Sequence, residues 1–202
     1  MTPPRSADTV RDRILTAARA EFSRYGIAGA RIDRIARAAK TSKERLYVYF
    51  RGKEALYGFI AEQEMAAVAE ATRMDPANLP EYAGRVHDYF VSHPDRYRLM
   101  QWGQLEFAGT AADTVILETI RRKTEQLRKA QEAGQLDPAW DPIDILVLLN
   151  QIAAAWAGGL DLVQAVGDLV RDPSAAARRA AVVAAVQRLF PATARNADTG
   201  SP

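Results

Sequence analysis

Apolar residues recur every three to four positions along almost the whole chain, and no stretch alternates apolar with polar as a half-buried strand does. The pattern predicts an all-α fold of about nine helices, most of them amphipathic. The first is expected from Thr9 to Tyr25, with Val10, Ile14, Ala18 and Phe22 along one face and Gly26 ending it in a left-handed cap. Two short helices follow, Ile32–Ala39 and Ser42–Phe50, with room between them only for a tight turn. Arg51 and Gly52 break the pattern, and a long helix runs from Lys53 to Met74, ending at Asp75-Pro76 because proline disfavours helix in the residue before it. Five more are expected at Pro80–Ser92, Pro94–Phe107, Ala112–Ala133, Pro142–Val170 and Pro173–Phe190, four of them opening on proline, whose missing N–H would be unpaired there anyway. The polar tail from Pro191 to Pro202 is expected to be disordered, and no internal repeat is visible.

Composition narrows the class. With 202 residues, 48% of them apolar, the chain can bury a sizeable core. It has no cysteine and two isolated histidines, so neither a disulfide framework nor a zinc site is expected, and no cofactor either. The N-terminal Met-Thr-Pro-Pro-Arg-Ser lacks the apolar core of a signal peptide, which points to the reducing cytoplasm. The nearest approach to a membrane span, Ile145 to Leu160, is bounded by Asp144 and Asp161, interrupted by Asn150 and Gln151, and shorter than the roughly 20 residues a spanning helix needs.

The formal charge of +2 conceals an asymmetry. Residues 1–56 hold 13 Lys and Arg against 6 Asp and Glu, a net of +7, while the remainder holds 14 against 19, a net of −5. A basic head on a mildly acidic body suits a polyanion-binding module, although a membrane surface or RNA would satisfy the charge equally.

The segment Ile32 to Leu56, IDRIARAAKTSKERLYVYFRGKEAL, resolves that ambiguity. Ile32, Ile35, Ala36 and Ala39 give the first short helix a small inner face that a second helix can cross closely. Leu46 and Phe50, four apart, anchor that second helix, and Ser42 is placed to cap it. Lys43, Glu44, Arg45, Tyr47 and Val48 are left to face solvent or a groove, which is what a recognition helix needs to meet phosphates and base edges. Lys53 opens the next helix, where its ammonium and nearby N–H groups are placed to clamp a phosphate.

From Ala39 to Leu56 the chain reads A-K-T-S-K-E-R-L-Y-V-Y-F-R-G-K-E-A-L. This resembles the TetR family of bacterial regulators, whose recognition segment commonly reads A-G-V-S-K-G-T-L-Y-H-Y-F-x-S-K-E-A-L, and eleven positions coincide. The resemblance implies that Lys43, Tyr47 and Lys53 contact DNA, that Tyr49 lies at the DNA-facing edge, and that Leu46 and Phe50 are core. Core packing remains open for Tyr49. Arg31 departs from the family's capping Thr or Ser, and Lys40 replaces a turn glycine at a cost of up to about 1 kcal/mol if the left-handed conformation is kept. Glu44 and Arg45 replace small residues on the face toward the bases, so the operator sequence is this chain's own. The DNA-facing set is therefore Arg31, Ser42, Lys43, Glu44, Arg45, Tyr47, Val48, Tyr49 and Lys53.

The expected organisation is a three-helix helix-turn-helix domain over residues 1–56, a helical bundle for ligand binding and dimerisation over 57–190, and the tail. The stretch HPDRYRLMQWGQLEF from His93 to Phe107 resembles the start of regulatory domains in some family members. The family places an apolar or amphipathic effector in a cavity among such helices, and His87, Phe90, Met100, Trp102, Gln104, Glu106, Phe107 and Trp156 are candidates to line it, or simply to fill the core. His87 and Asp88 point differently on a helix and are not expected to form a catalytic pair. The last two helices carry alanine- and glycine-rich faces, Ala153 to Gly159 and Ala175 to Ala185, suited to a homodimer interface with Val147, Leu148, Trp156, Val182, Val186 and Leu189 as its larger contacts. The partners expected are thus double-stranded operator DNA, a small effector and a second copy of the chain, with no membrane. A helical enzyme and a partner-binding protein with an idle DNA head are the alternatives. The enzyme lacks nucleophile–base spacing, and Lys43, Tyr47 and Lys53 argue against the second.

Overall fold

A computed structural model of the chain describes residues 9–106, 112–157 and 169–192, with the side chains of 112–116 outside that description. Among the described residues there are nine α-helices and no strand: α1 (Val10–Gly29), α2 (Ile32–Ala38), α3 (Lys43–Tyr49), α4 (Lys53–Ala71), α5 (Leu79–Ser92), α6 (Pro94–Glu106), α7 (Ala112–Glu132), α8 (Pro142–Ala154) and α9 (Ala175–Leu189). A 3₁₀ turn, Pro76–Asn78, leads into α5. No helix among these residues is long and apolar enough to cross a membrane.

The chain divides into two compact units. Met1–Ala67 with Asp95–Val115 form the first, and Val68–Pro94 with Ile116–Pro202 the second. In the first, Ile14, Ala18 and Phe22 of α1, Ile35 of α2, Leu46 of α3, Leu56 and Ile60 of α4 and Leu99 of α6 are fully buried in one cluster. The Phe22 ring meets Tyr57 edge-on with centroids 5.4 Å apart. In the second unit α5 packs on α8 and α9, burying Leu79, Tyr82 and Val86 with Ile145, Leu149, Val182 and Val186.

The helix ends follow local chemistry. Thr9 and Asp12 form a capping box at the start of α1, each side chain accepting the other's backbone N–H. Gly26 interrupts α1 with φ 68° and ψ −176°, a region essentially reserved for glycine, so the break falls where the sequence places it but a further turn follows. Thr41 N–H donates to Ala36 O and Lys40 N–H to Arg37 O, closing α2 in a Schellman motif with Lys40 at φ 51°.

Two expected boundaries are corrected. The helix opened by Pro142 was expected to run to Val170, but α8 ends at Ala154: Ala155 N–H donates to Ile152 O and Ala157 N–H to Ala154 O, tightening the ladder to i→i+3 bonds. Gly158 and Gly159 lie outside the described residues. Pro173 does not open the last helix, because Ser174 takes the N-cap by accepting the Ala177 N–H and α9 starts at Ala175.

Candidate nucleic-acid interface

Seven residues make α3, and only its inward side is committed to packing. Leu46 is fully buried and Phe50, at the C-cap, is nearly so. Ser42 caps the helix as expected, its hydroxyl accepting the Arg45 N–H at 3.1 Å. Lys43, Glu44 and Arg45 are exposed, as are Tyr47 (45%), Val48 (81%) and Tyr49 (41%), so Tyr49 does not belong to the core. The Glu44 carboxyl is held below its usual range by hydrogen bonding to its own N–H and to the Ser42 hydroxyl. Lys43 Nζ lies 3.3 Å from Asp33 Oδ1 of α2, both in solvent. The result is a helix face with two cations, two phenols and a valine methyl pair, a mixture suited to phosphates and base edges together.

Lys53, half-buried at the start of α4, donates from Nζ to the carbonyls of Ala28 at 3.2 Å and Ala30 at 3.5 Å. Arg34 donates to Gly29 O at 2.8 Å, so two cations meet the carbonyl end of α1, where the helix dipole favours them. An ammonium has three donors, and the carbonyls engage two of them.

Arg31 is the N-cap of α2 and makes no side-chain cap bond. A carboxylate from α1 compensates. Glu21, nearly buried, accepts the Arg31 N–H at 2.9 Å and Arg34 Nε at 2.6 Å, and the Arg34 guanidinium covers the Tyr25 ring at 4.3 Å. Sequence reasoning missed this network. Its only linear trace is an acidic residue on the otherwise apolar inner face of α1.

The effector candidates divide between the units. In the first, Met100 and Trp102 are half-buried while Gln104 and Glu106 are exposed. Glu106 accepts the Ala28 N–H at 2.7 Å, and a Cβ on Gly26 would stand 2.9 Å from Trp102, so α6 closes directly on the break in α1. In the second unit His87 and Phe90 are buried and Trp156 is half-buried beneath the Arg178 guanidinium at 4.9 Å. Phe107 lies outside the described residues. His87 Nδ1 comes within 3.2 Å of Asp88 Oδ1, against the expectation that the two diverge, while His87 Nε2 is buried with no hydrogen-bond partner among the described residues. Asp88 also takes Arg179 Nε at 2.8 Å, so the carboxylate serves an ion pair.

Of the residues expected at a dimer interface, Val147 and Leu148 are exposed. Val182 and Val186 are not available to a partner: α9 turns them inward on α5 and α8 and leaves Ala180 and Ala181 outside, because the larger side chains fill the chain's own core.

Residues 14–58 match the family model described as bacterial regulatory proteins of the tetR family, and residues 78–188 the tetracyclin repressor-like C-terminal domain. The crystal structure of SCO4942 from Streptomyces coelicolor, described as a candidate transcriptional regulator, superposes with a TM-score of 0.83 at 55% identity, covering 91% of this chain and 99% of that one. The transcriptional repressor SCO4008 of the same organism is 37% identical over 156 residues, 76% of this chain and 80% of its own length. The repressor NicS of Pseudomonas putida is 38% identical over 138 residues, 64% of this chain and 65% of its own. Both the head and the body are thus matched to regulators and not to enzymes, and the chain belongs to the TetR family of helix-turn-helix, DNA-binding transcriptional regulators.

Proposed function

We propose that this regulator is a repressor that binds a near-palindromic operator as a homodimer and is released by a small apolar or amphipathic molecule. Residues 1–56 serve as the DNA-binding head and 57–190 as the ligand-binding and dimerisation part. The observation that carries the reading is the division of α3, with Leu46 buried and Lys43, Arg45, Tyr47, Val48 and Tyr49 outward on a capped helix. Arg31, Ser42 and Glu44 complete the surface toward the groove. Lys53 reaches a phosphate through its remaining donor.

For release, an effector must prefer the state with low operator affinity, and a preference of about 1–3 kcal/mol gives a 5- to 150-fold effect. The candidate effector contacts are Met100, Trp102, Gln104 and Glu106 in the first unit, His87, Phe90 and Trp156 in the second, and Phe107, which lies outside the described residues. His87 and Trp102 are the best supported, since His87 Nε2 and Trp102 Nε1 are each buried with no hydrogen-bond partner among the described residues, which leaves a polar group for a ligand. The two named repressors with identity above a third favour repression over activation.

The test is binding to DNA from upstream of the chain's own gene, measured against salt. Affinity should fall steeply as counterions are released, and Lys53→Ala should flatten the log–log slope by about one. A slope unchanged in the variant removes Lys53 from the phosphate contacts, and absence of sequence-selective binding removes the operator reading.

A further inference from the structure

Successive residues of an α-helix are turned by about 100° around its axis, so the buried Leu46 fixes which side of α3 is outermost. Glu44 and Val48, two places before and two places after Leu46, each stand about 160° from it and stack four residues apart on one outer line. Lys43, Arg45, Tyr47 and Tyr49 lie to the sides of that line, between it and the core. Exposure agrees: Glu44 is exposed, and Val48 at 81% is far more so than Tyr47 at 45% or Tyr49 at 41%.

The outer line of a recognition helix reaches deepest into the groove, and here neither of its residues attracts phosphate. A carboxylate is repelled by phosphate and a valine gains nothing from it, whereas Lys43 and Arg45 at the sides are the cations suited to the backbone. The Glu44 carboxyl accepts from its own N–H and from the Ser42 hydroxyl, which holds it below its usual range and hence ionised at neutral pH. Those bonds use two of about four acceptor positions, and an ionised carboxylate has no proton to donate. Such a group costs affinity on any duplex unless a base offers it a donor. Cytosine alone shows the major groove a donor, its N4 amino group, with no acceptor of its own beside it. Adenine adds N7, thymine shows O4, and guanine shows O6 and N7. The Val48 isopropyl finds an apolar partner in the groove only at the 5-methyl group of thymine.

We propose that Glu44 and Val48 are the pair that sets the operator sequence, Glu44 taking the N4 amino group of a cytosine and Val48 the methyl group of a thymine within two base pairs of it. Four residues of helix rise about 6 Å, close to two base-pair steps. Glu44 selects by exclusion as well as by contact, because the acceptors of guanine or thymine in the cytosine's place repel it. This deepens the proposed function and rests on its reading of α3 as the helix that enters the major groove.

The test selects binding sites for the full chain from a randomised duplex library, with thermal melts to confirm that the variants fold. The wild type should enrich half-sites in which a cytosine and a thymine lie within two base pairs. Each should be preferred over any other base at its position by about fivefold or more, the low end of what a good base contact gives. Glu44→Ala should abolish the cytosine preference and keep the thymine, and Val48→Ala should do the reverse. Glu44→Gln should move the cytosine preference toward adenine, whose N6 and N7 suit an amide, a gain that misfolding cannot imitate. The thymine arm also needs no variant. Deoxyuridine in place of that thymine removes only the methyl group and should weaken the wild type by about fourfold, the worth of one buried carbon, while leaving Val48→Ala unaffected. An enriched site whose base ranking survives both alanine substitutions overturns the pairing and leaves the operator reading intact. So does deoxyuridine bound by the wild type as well as thymine, or a guanine or thymine as the base whose preference Glu44→Ala loses. A wild type that enriches no site overturns the pairing and the operator reading together.

Discussion

Lys40 shows how much a single backbone conformation matters here. It is the one non-glycine residue with positive φ among the described residues, and it sits at the turn between α2 and α3 that sets the angle of the recognition helix. The Schellman bonds from Thr41 and Lys40 hold the turn in place against the steric cost of a side chain at φ 51°. Lys40→Gly is therefore expected to stabilise the fold by up to about 1 kcal/mol in urea denaturation, without moving α3. A variant less stable than wild type would show that the lysine side chain contributes more than its backbone costs. Gly26 is the contrasting case. Its ψ of −176° and the nearness of Trp102 and Glu106 exclude any side chain, so the end of α1 is fixed by both conformation and space.

At the scale of elements, two helices depend on groups supplied by others. α2 lacks a side-chain cap of its own and starts against Glu21 of α1, which joins the Arg31 N–H to the Arg34 guanidinium. Glu21→Ala removes the acceptor at the start of α2 and should cost about 0.5–2 kcal/mol, the range for losing a helix cap, and hydrogen exchange should show the loss first in α2. Uniform loss of protection across the head would point to a packing defect instead. α7 carries its cost at Lys123, whose ammonium has its pKa lowered by burial. The folded value of about 8 lies below the ordinary 10.5, so between these the unfolded chain binds the extra proton and wild-type stability rises with pH. Lys123→Met should accordingly be more stable than wild type at pH 7, with the gap narrowing as pH passes 8 toward 10. A gap independent of pH over that range would mean that the ammonium bears no burial cost.

At the scale of the whole molecule, the proposed homodimer needs a surface that a partner can cover, and we propose that it lies on the last two helices. Val147 and Leu148 are exposed apolar residues on α8, and α9 presents Ala180 and Ala181 where a close approach is possible. Val147→Glu should shift the chain from dimer to monomer in sedimentation while leaving its helical circular dichroism unchanged, since the side chain is half exposed and is not among the buried core of the described residues. A variant that stays dimeric would move the interface off α8. Loss of the dimer should also weaken operator binding, because two half-sites gripped together hold better than either alone.

The sequence by itself determined the helices, the inward residues of the head and the character of its outward face. Those depend on signals that act within a turn or two: the spacing of Ile14, Ala18 and Phe22, the caps at Thr9 and Ser42, the Leu46–Phe50 pair and the glycine at 26. The clustered charge of residues 1–56 and the run from Ala39 to Leu56 were likewise legible in linear order. Only the tertiary structure decided which charges meet. Glu64 of α4, almost fully buried, takes Arg19 Nε at 2.5 Å and lies 3.1 Å from Arg96 Nε, joining α1 and α6. Lys123 meets Tyr82 across 41 residues and Glu106 meets Ala28 across 78. It decided too that α9 buries its valines and presents its alanines, reversing the reading of Val182 and Val186 as interface contacts, and that α8 stops at Ala154. Helical periodicity shows which residues share a face, but several faces of a bundle helix can be apolar, and only the packing of its neighbours selects the one that is buried.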